Sequence, residues 1–232
     1  MIATVKKVTQ ETPRVYSVVV TLPQPIAFKT GQVMRWNAPG SKAGRLFSIA
    51  VPGGDQVSEL SFVISILPEG IVSSRVPLLK PGDTVDLAGP HGKFIFDETD
   101  PRDIGLIAGG TGISVLRSIY LHVLTHGLPN KVRLLFSVRN RDEVIFRDEL
   151  AALAKKYPQF TYTITLTREQ PEQWKGKCGT INAAMLAEEF GKEKFQQAFY
   201  LCGPKTFVKN AENILSAAGV TPDRIHIDRW VF

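Results

Sequence analysis

Cysteine is scarce: Cys178 and Cys202 are the only two in 232 residues. Two thiols exclude a disulfide scaffold, a four-thiolate iron–sulfur cluster and a cysteine zinc ribbon within this chain. Histidine is sparse as well, and His91, His122, His126 and His226 show no ligand spacing, so no metal is assigned. No apolar run approaches the roughly 20 residues that a bilayer helix needs. The opening MIATVKKVTQETPRVY lacks the basic-then-apolar pattern of a secretory signal. A cytoplasmic protein without a membrane partner is expected. Basic runs are missing too. Lys and Arg exceed Asp and Glu by 28 to 22, with 10 against 9 through residue 100 and 18 against 13 beyond it. Scattered in this way, the excess argues against a nucleic-acid groove, which needs a stripe or patch. It suits a phosphorylated small molecule or an acidic protein partner.

What remains is an ordinary globular composition, 44% hydrophobic and 22% charged. The length suits two domains of roughly 100–130 residues each. In the first hundred residues, VYSVVVTLP, QVMRWNAP, RLFSIAV, ELSFVISIL and DTVDLAG are short β-branched and aromatic runs. They are separated by Pro39-Gly40, Pro52-Gly53-Gly54, Pro81-Gly82-Asp83 and Gly89-Pro90. Such spacing predicts an antiparallel barrel, with one short helix over Gly70–Leu79. Beyond the polar stretch Asp97–Asp103 the rhythm changes. IGLIAGG, KVRLLFSV, FTYTITL, AFYLCG and RIHI read as buried strands alternating with helix-period segments. That pattern predicts right-handed crossovers and a parallel sheet of about five strands. The boundary falls near residue 99, giving domains 1–98 and 99–232.

Four segments carry chemistry. Ala108-Gly109-Gly110-Thr111-Gly112 follows a strand and opens a helix, where glycines let a backbone approach a pyrophosphate and free N–H groups meet the anion. Its spacing is not the full dinucleotide G-x-G-x-x-G. Arg45-Leu46-Phe47-Ser48 and Gly70-Ile71-Val72-Ser73 lie on the barrel side. A planar, phosphate-bearing cofactor needs an arginine for phosphate, an aromatic face for stacking and a hydroxyl for a ring nitrogen. Leu201-Cys202-Gly203-Pro204 ends a late parallel strand. Taken singly, the glycine loop reads equally well as a plain tight turn, and the others read as structural: an exposed arginine, a core phenylalanine, a capping serine and a buried cysteine.

In this order, and on these elements, the chain resembles the ferredoxin–NADP reductase superfamily along essentially its whole length. RLFS looks like its R-x-Y/F-S flavin motif and GIVS like its G-x-x-S pyrophosphate segment. GPHGKF is similar to its barrel closure, GGTGI to its nicotinamide-nucleotide loop and LCGP to its C-G-P turn. The resemblance implies a six-stranded antiparallel flavin barrel followed by an NAD(P)H-binding α/β domain. It implies that Arg45 and Leu46 contact the flavin nucleotide, that Phe47 packs on the flavin, and that Ser48 bonds near the nitrogen accepting hydride. Val63 and Ile64 would run beside the adenine half, and Gly70, Ile71, Val72 and Ser73 would hold the pyrophosphate. Gly110, Thr111 and Gly112 would contact the nicotinamide nucleotide. Cys202, with Gly203 and Pro204, would flank hydride transfer; Ser48 and Cys202 are the catalytic candidates. Thr167-Arg168 and Lys175, with Arg139, match positions that hold a 2′-phosphate, so NADPH is expected ahead of NADH. Trp230 and Phe232 match an ending in which an aromatic covers the flavin.

The implied activity is that of an FAD-dependent NAD(P)H oxidoreductase, a flavoprotein passing electrons to a separate acceptor such as ferredoxin or flavodoxin. Two departures keep other readings open. Phe47 replaces the commoner tyrosine, losing one hydrogen bond worth about 1 kcal/mol, and Val115 stands where many members carry proline. Both resemble the free-flavin reductase branch, whereas GIVS implies bound FAD. An electron-transfer subunit of a multicomponent complex is a further alternative.

Overall fold

The computed structural model describes residues 1–41, 43–191 and 195–228. The chain divides into two units, Met1–Phe96 with Arg117–His122, and Asp97–Leu116 with Val123–Phe232. In the first, six antiparallel strands are β1 (Ile2–Thr12), β2 (Val15–Phe28), β3 (Val33–Asn37), β4 (Gly44–Ser48), β5 (Gly54–Ser65) and β6 (Thr84–His91). Their order is β4-β3-β6-β1-β2-β5. The Ile49–Phe62 bridge and the Ala50 N–H donating to Ser61 C=O at 2.8 Å bring the two outer strands together and close the barrel. Alternation along the strands sends Val18, Val20, Met34, Trp36, Leu60, Phe62, Ile64 and Leu87 into one apolar core.

The expected short helix is a 3₁₀ segment, Ser73–Leu78. Pro77 lies inside it and has no N–H to extend a hydrogen-bonded helix, so the turn stays short and tight. Val72 and Val76 still plug into the barrel core.

The second unit is a parallel sheet ordered β10-β9-β8-β7-β11-β12. Its strands are β7 (Ile104–Gly109), β8 (Val132–Val138), β9 (Phe160–Leu166), β10 (Lys177–Cys178), β11 (Ala198–Cys202) and β12 (Ile225–Asp228). Five are the expected buried runs. The sixth, β10, has two residues, too few for any periodicity to announce it. It forms because its loop is pinned locally: the Trp174 indole N–H donates to Lys177 C=O at 3.0 Å. Helices α1 (Ile113–Thr125), α2 (Arg147–Lys156), α3 (Ala183–Phe190) and α4 (Lys205–Ala217) make the crossovers. Among the described residues no helix is long and apolar enough to cross a membrane.

Strand order matters for the site. From β7 the chain moves to one side through β8, β9 and β10, then returns to the other side with β11 and β12. The reversal leaves a crevice at the carboxyl ends of β7 and β11, where open α/β sheets bind ligands.

Candidate functional site

On the barrel, β4 pairs with β3, setting Ser48 opposite Val33, Phe47 opposite Met34 and Arg45 opposite Trp36. Arg45 and Leu46 are exposed, Phe47 is half-buried and Ser48 is buried. The Phe47 ring meets Trp36 edge-on at 6.1 Å, an arrangement that fixes its plane. On its other side β4 touches β5 through the Ile49–Phe62 bridge, and no longer ladder joins the two strands among the described residues. Continued from that bridge, the antiparallel register sets Ser48 opposite Val63 and Phe47 opposite Ile64. The fold therefore brings RLFS and Val63-Ile64 to one incompletely paired seam.

Gly70–Ser73 leads from the end of β5 into the 3₁₀ turn. The Gly70 N–H donates to Leu67 C=O at 2.9 Å, and Ser73 Oγ accepts from the Leu67 N–H at 3.2 Å. A Cβ on Gly70 would lie 2.2 Å from Ser73 Oγ, so the turn requires glycine. The Ser73 hydroxyl thus shapes the loop from within. The backbone N–H groups of Ile71, Val72 and Ser73 donate to no other described residue. Successive unspent donors of this kind suit a phosphate.

At the switch point of the second unit, two loops lie backbone on backbone. A Cβ on Gly112 would stand 2.3 Å from Cys202 O and 2.8 Å from Gly203 N. One on Gly203 would stand 3.0 Å from Gly109 Cα and 2.8 Å from the Phe207 ring. Gly110 adopts φ of 54°, in the left-handed region. Gly110–Gly112 forms a 3₁₀ turn with no side-chain cap, leading into the 13-residue α1. Register pairs Ala108 with Cys202 across β7 and β11, so Thr111 and the Cys202-Gly203-Pro204 turn share one edge of the sheet. Glycines at 109, 110, 112 and 203 let the two loops meet backbone to backbone here, and a glycine turn between a strand and a helix suits a pyrophosphate.

Farther along that edge the β8–β9 pairing runs past the strand ends. The Thr167 N–H donates to Val138 C=O and the Arg168 N–H to Arg139 C=O, both at 2.9 Å. Arg139 and Arg168 therefore stand side by side, both exposed, and Lys175 is exposed in the loop that follows. The neighbouring acid, Glu169, is engaged by Arg141, whose backbone N–H donates to Oε2 at 2.8 Å and whose Nε forms an ion pair with Oε1 at 3.3 Å. Sequence reading passed over Arg141 and Glu169, because a pair 28 residues apart carries no local signature.

Cys202 is buried, and its thiol donates to Asp228 Oδ2 at 3.6 Å, across the β11–β12 register. Burial pushes the Asp228 carboxyl up to about 6, and the thiol's hydrogen bond opposes this shift. A carboxyl whose folded pKa is raised stabilises the fold while it is protonated. That contribution is lost as pH rises from about 4 to about 6. Asp228→Asn, uncharged and of equal size, is expected to raise the melting temperature at pH 8 and to change it little at pH 4. Equal gains at both pH values would remove burial as the cause. Trp230 and Phe232 lie outside the described residues.

Comparison with known proteins fits both halves. Residues 2–96 match the oxidoreductase FAD-binding domain, and residues 106–213 the oxidoreductase NAD-binding domain. Ferredoxin–NADP reductase B of Sorangium cellulosum is 31% identical over 198 residues, covering 83% of this chain and 80% of that protein. The chain belongs to the ferredoxin–NADP reductase family. The family's arrangement, barrel first and parallel sheet second, is the fold described above, and its oxidoreductase chemistry rests on these FAD- and NAD-binding domains. The phenol hydroxylase P5 protein of Acinetobacter pittii is 30% identical over 99% of this chain and 65% of its own length. The reductase component DmpP of a Pseudomonas phenol 2-monooxygenase is 29% identical over 94% and 62%. The chain thus spans less than two thirds of those relatives. Among solved structures, the Amycolatopsis cytochrome P450 reductase GcoB superposes with a TM-score of 0.86 at 26% identity, over 98% of this chain and 68% of that one. A Neisseria gonorrhoeae ferredoxin NADP+ reductase with bound FAD and NADP shares the fold at 22% identity, with a TM-score of 0.83 over 98% and 97%.

Proposed function

We propose that this chain oxidises NAD(P)H, NADPH ahead of NADH, through bound FAD and delivers electrons to a separate acceptor. The observation that carries the reading is the close backbone approach of the Gly110–Gly112 turn to Cys202–Gly203, on a chain that also bears the RLFS seam. The barrel would be the flavin domain, residues 1–98, and the parallel sheet the nucleotide domain, residues 99–232.

The barrel residues fit a flavin dinucleotide. Arg45, exposed and bonded only to the Gly44 carbonyl at 3.1 Å among the described residues, offers its charge to a phosphate. The unspent N–H groups of Ile71, Val72 and Ser73 are what a pyrophosphate requires. Phe47, held by Trp36, and exposed Leu46 supply apolar surface for the ring system, and Ser48 supplies a hydroxyl at the seam with Val63 and Ile64. When bound, the flavin supplies the chemistry of accepting a hydride and releasing electrons, while the protein's share is alignment and exclusion of water. Gly110, Thr111 and Gly112 hold the nicotinamide nucleotide, and Cys202, Gly203 and Pro204 bound the nicotinamide end. Ser48 and Cys202 are the two side chains assigned to the reacting region. Arg168, Arg139, Thr167 and Lys175 take the 2′-phosphate.

The acceptor is an acidic electron-transfer protein, a ferredoxin or flavodoxin, in the cytoplasm. Its support is the chain's formal charge of +6. The names of the phenol hydroxylase and phenol monooxygenase relatives favour a second reading, an oxygenase component as acceptor. Absorbance and cofactor extraction on the purified protein, followed by NADPH oxidation with ferredoxin or an artificial acceptor, test the proposal. A correctly folded, colourless protein that fails to take up FAD would overturn it; one that reduces only added free flavin would identify a flavin reductase. Arg168→Ala is expected to raise KM for NADPH about tenfold or more, the loss of a charge-assisted phosphate contact, with kcat little changed. An equal rise with NADH would assign Arg168 a structural role.

A further inference from the structure

Arg168, assigned above to the 2′-phosphate, is followed directly by a carboxylate, Glu169. Left to itself, that carboxylate would repel the phosphate and compete for the arginine beside it. In the structure it does neither. Glu169 Oε2 accepts the Arg141 backbone N–H at 2.8 Å, and its Oε1 lies 3.3 Å from Arg141 Nε. Arg141 is held in turn, since its carbonyl accepts from the Arg147 guanidinium at the start of α2 and from the Val144 N–H at 3.3 Å. The acid is thus bound at two points to the 3₁₀ turn Arg141–Glu143, which follows β8. Arg139, Arg168 and Lys175 form no ion pair with any described residue.

We propose that the Arg141–Glu169 pair is the device that keeps this edge selective for a 2′-phosphorylated nucleotide. Arg141 draws the Glu169 carboxylate away from Arg168 and compensates its charge. Arg141 and Glu169 are positioning residues that touch no part of the nucleotide. The proposal rests on the assignment of Arg168 to the 2′-phosphate.

The test uses the purified flavoprotein and calorimetric Kd values for two probes that differ in one group, adenosine 2′,5′-bisphosphate and adenosine 5′-monophosphate. In Arg141→Ala the released carboxylate should weaken the bisphosphate about three- to tenfold, the Coulomb penalty expected at a solvated distance of several ångströms. The monophosphate should stay within about twofold. Adding Glu169→Gln to Arg141→Ala should restore bisphosphate binding. Glu169→Gln alone should have a smaller effect than it has in the Arg141→Ala background, because in the wild type the charge is already engaged. If the two substitutions are additive, Arg141 acts only through its own charge and the proposal fails. If both probes weaken together, the pair merely holds the loop and the proposal also fails. Arg168→Ala separates the two levels. Loss of discrimination there with none in Arg141→Ala leaves the 2′-phosphate assignment standing and removes the pair. Unchanged discrimination in Arg168→Ala removes both.

Discussion

Gly112→Ala is expected to cost about 3 kcal/mol or more of stability in the second unit and to abolish tight nucleotide binding. The reason is geometric. A Cβ at position 112 would meet Cys202 O at 2.3 Å and Cys202 C at 2.5 Å. Both belong to the backbone of β11, a central strand paired on both sides, so no rotamer change relieves the overlap. The chain has two responses: separating the β7 loop from the β11 turn, or shifting β11. Either one destroys the close backbone approach. Gly110→Ala is the informative comparison. Its Cβ would meet nothing within 4 Å, but its φ of 54° strains an L-residue, so a milder loss of about 1 kcal/mol is expected. Urea melts of both variants, with NADP+ titration, check the order. A Gly112→Ala protein as stable and as tightly binding as wild type would show that the two loops do not need this approach.

Arg45→Ala is expected to empty the flavin site without unfolding the barrel. Arg45 is exposed, and its guanidinium spends one bond on the neighbouring Gly44 carbonyl, so its removal disturbs no packing. What it takes away is a charge-assisted phosphate contact worth about 1.5–3 kcal/mol, or roughly 10- to 150-fold in flavin affinity. Ser48→Ala should behave differently. Ser48 is buried at the seam, and its hydroxyl is assigned to the reacting region, so flavin should remain bound while its reduction by NADPH slows. Flavin occupancy after dialysis, measured beside the thermal melt of the flavin-free protein, distinguishes the cases. Equal occupancy in Arg45→Ala and wild type would contradict the assignment.

The two-domain plan was legible in the chain because each half has its own hydrophobic period. Runs such as ELSFVISIL and KVRLLFSV are long enough to declare themselves, and the glycines of AGGTG stand between a buried-strand run and a helix-period segment. Local features that break a period were not legible. β1 is absent from the runs read as strands: it carries Lys6-Lys7 in mid-strand, and a register shift between Val5 and Lys7 interrupts its alternation. β10 is too short to have a period at all.

The motif residues were legible as types, since arginine, serine, glycine and cysteine each bring particular chemistry. Their partners were set by contacts across the fold. Only the sheet shows that Gly112 must lack a side chain because Cys202 lies on it, 90 positions later in sequence. Only packing makes Asp228 a carboxyl that titrates near 6, since its shift comes from burial beside Cys202. Only the fold sets Glu169 against Arg141, which accounts for its charge. Sequence by itself determines which groups are available and how each segment prefers to run, because propensity and periodicity act over a few residues. Which groups meet, how deeply they are desolvated and which charges cancel are decided by strand order and register, because those join residues the chain keeps far apart.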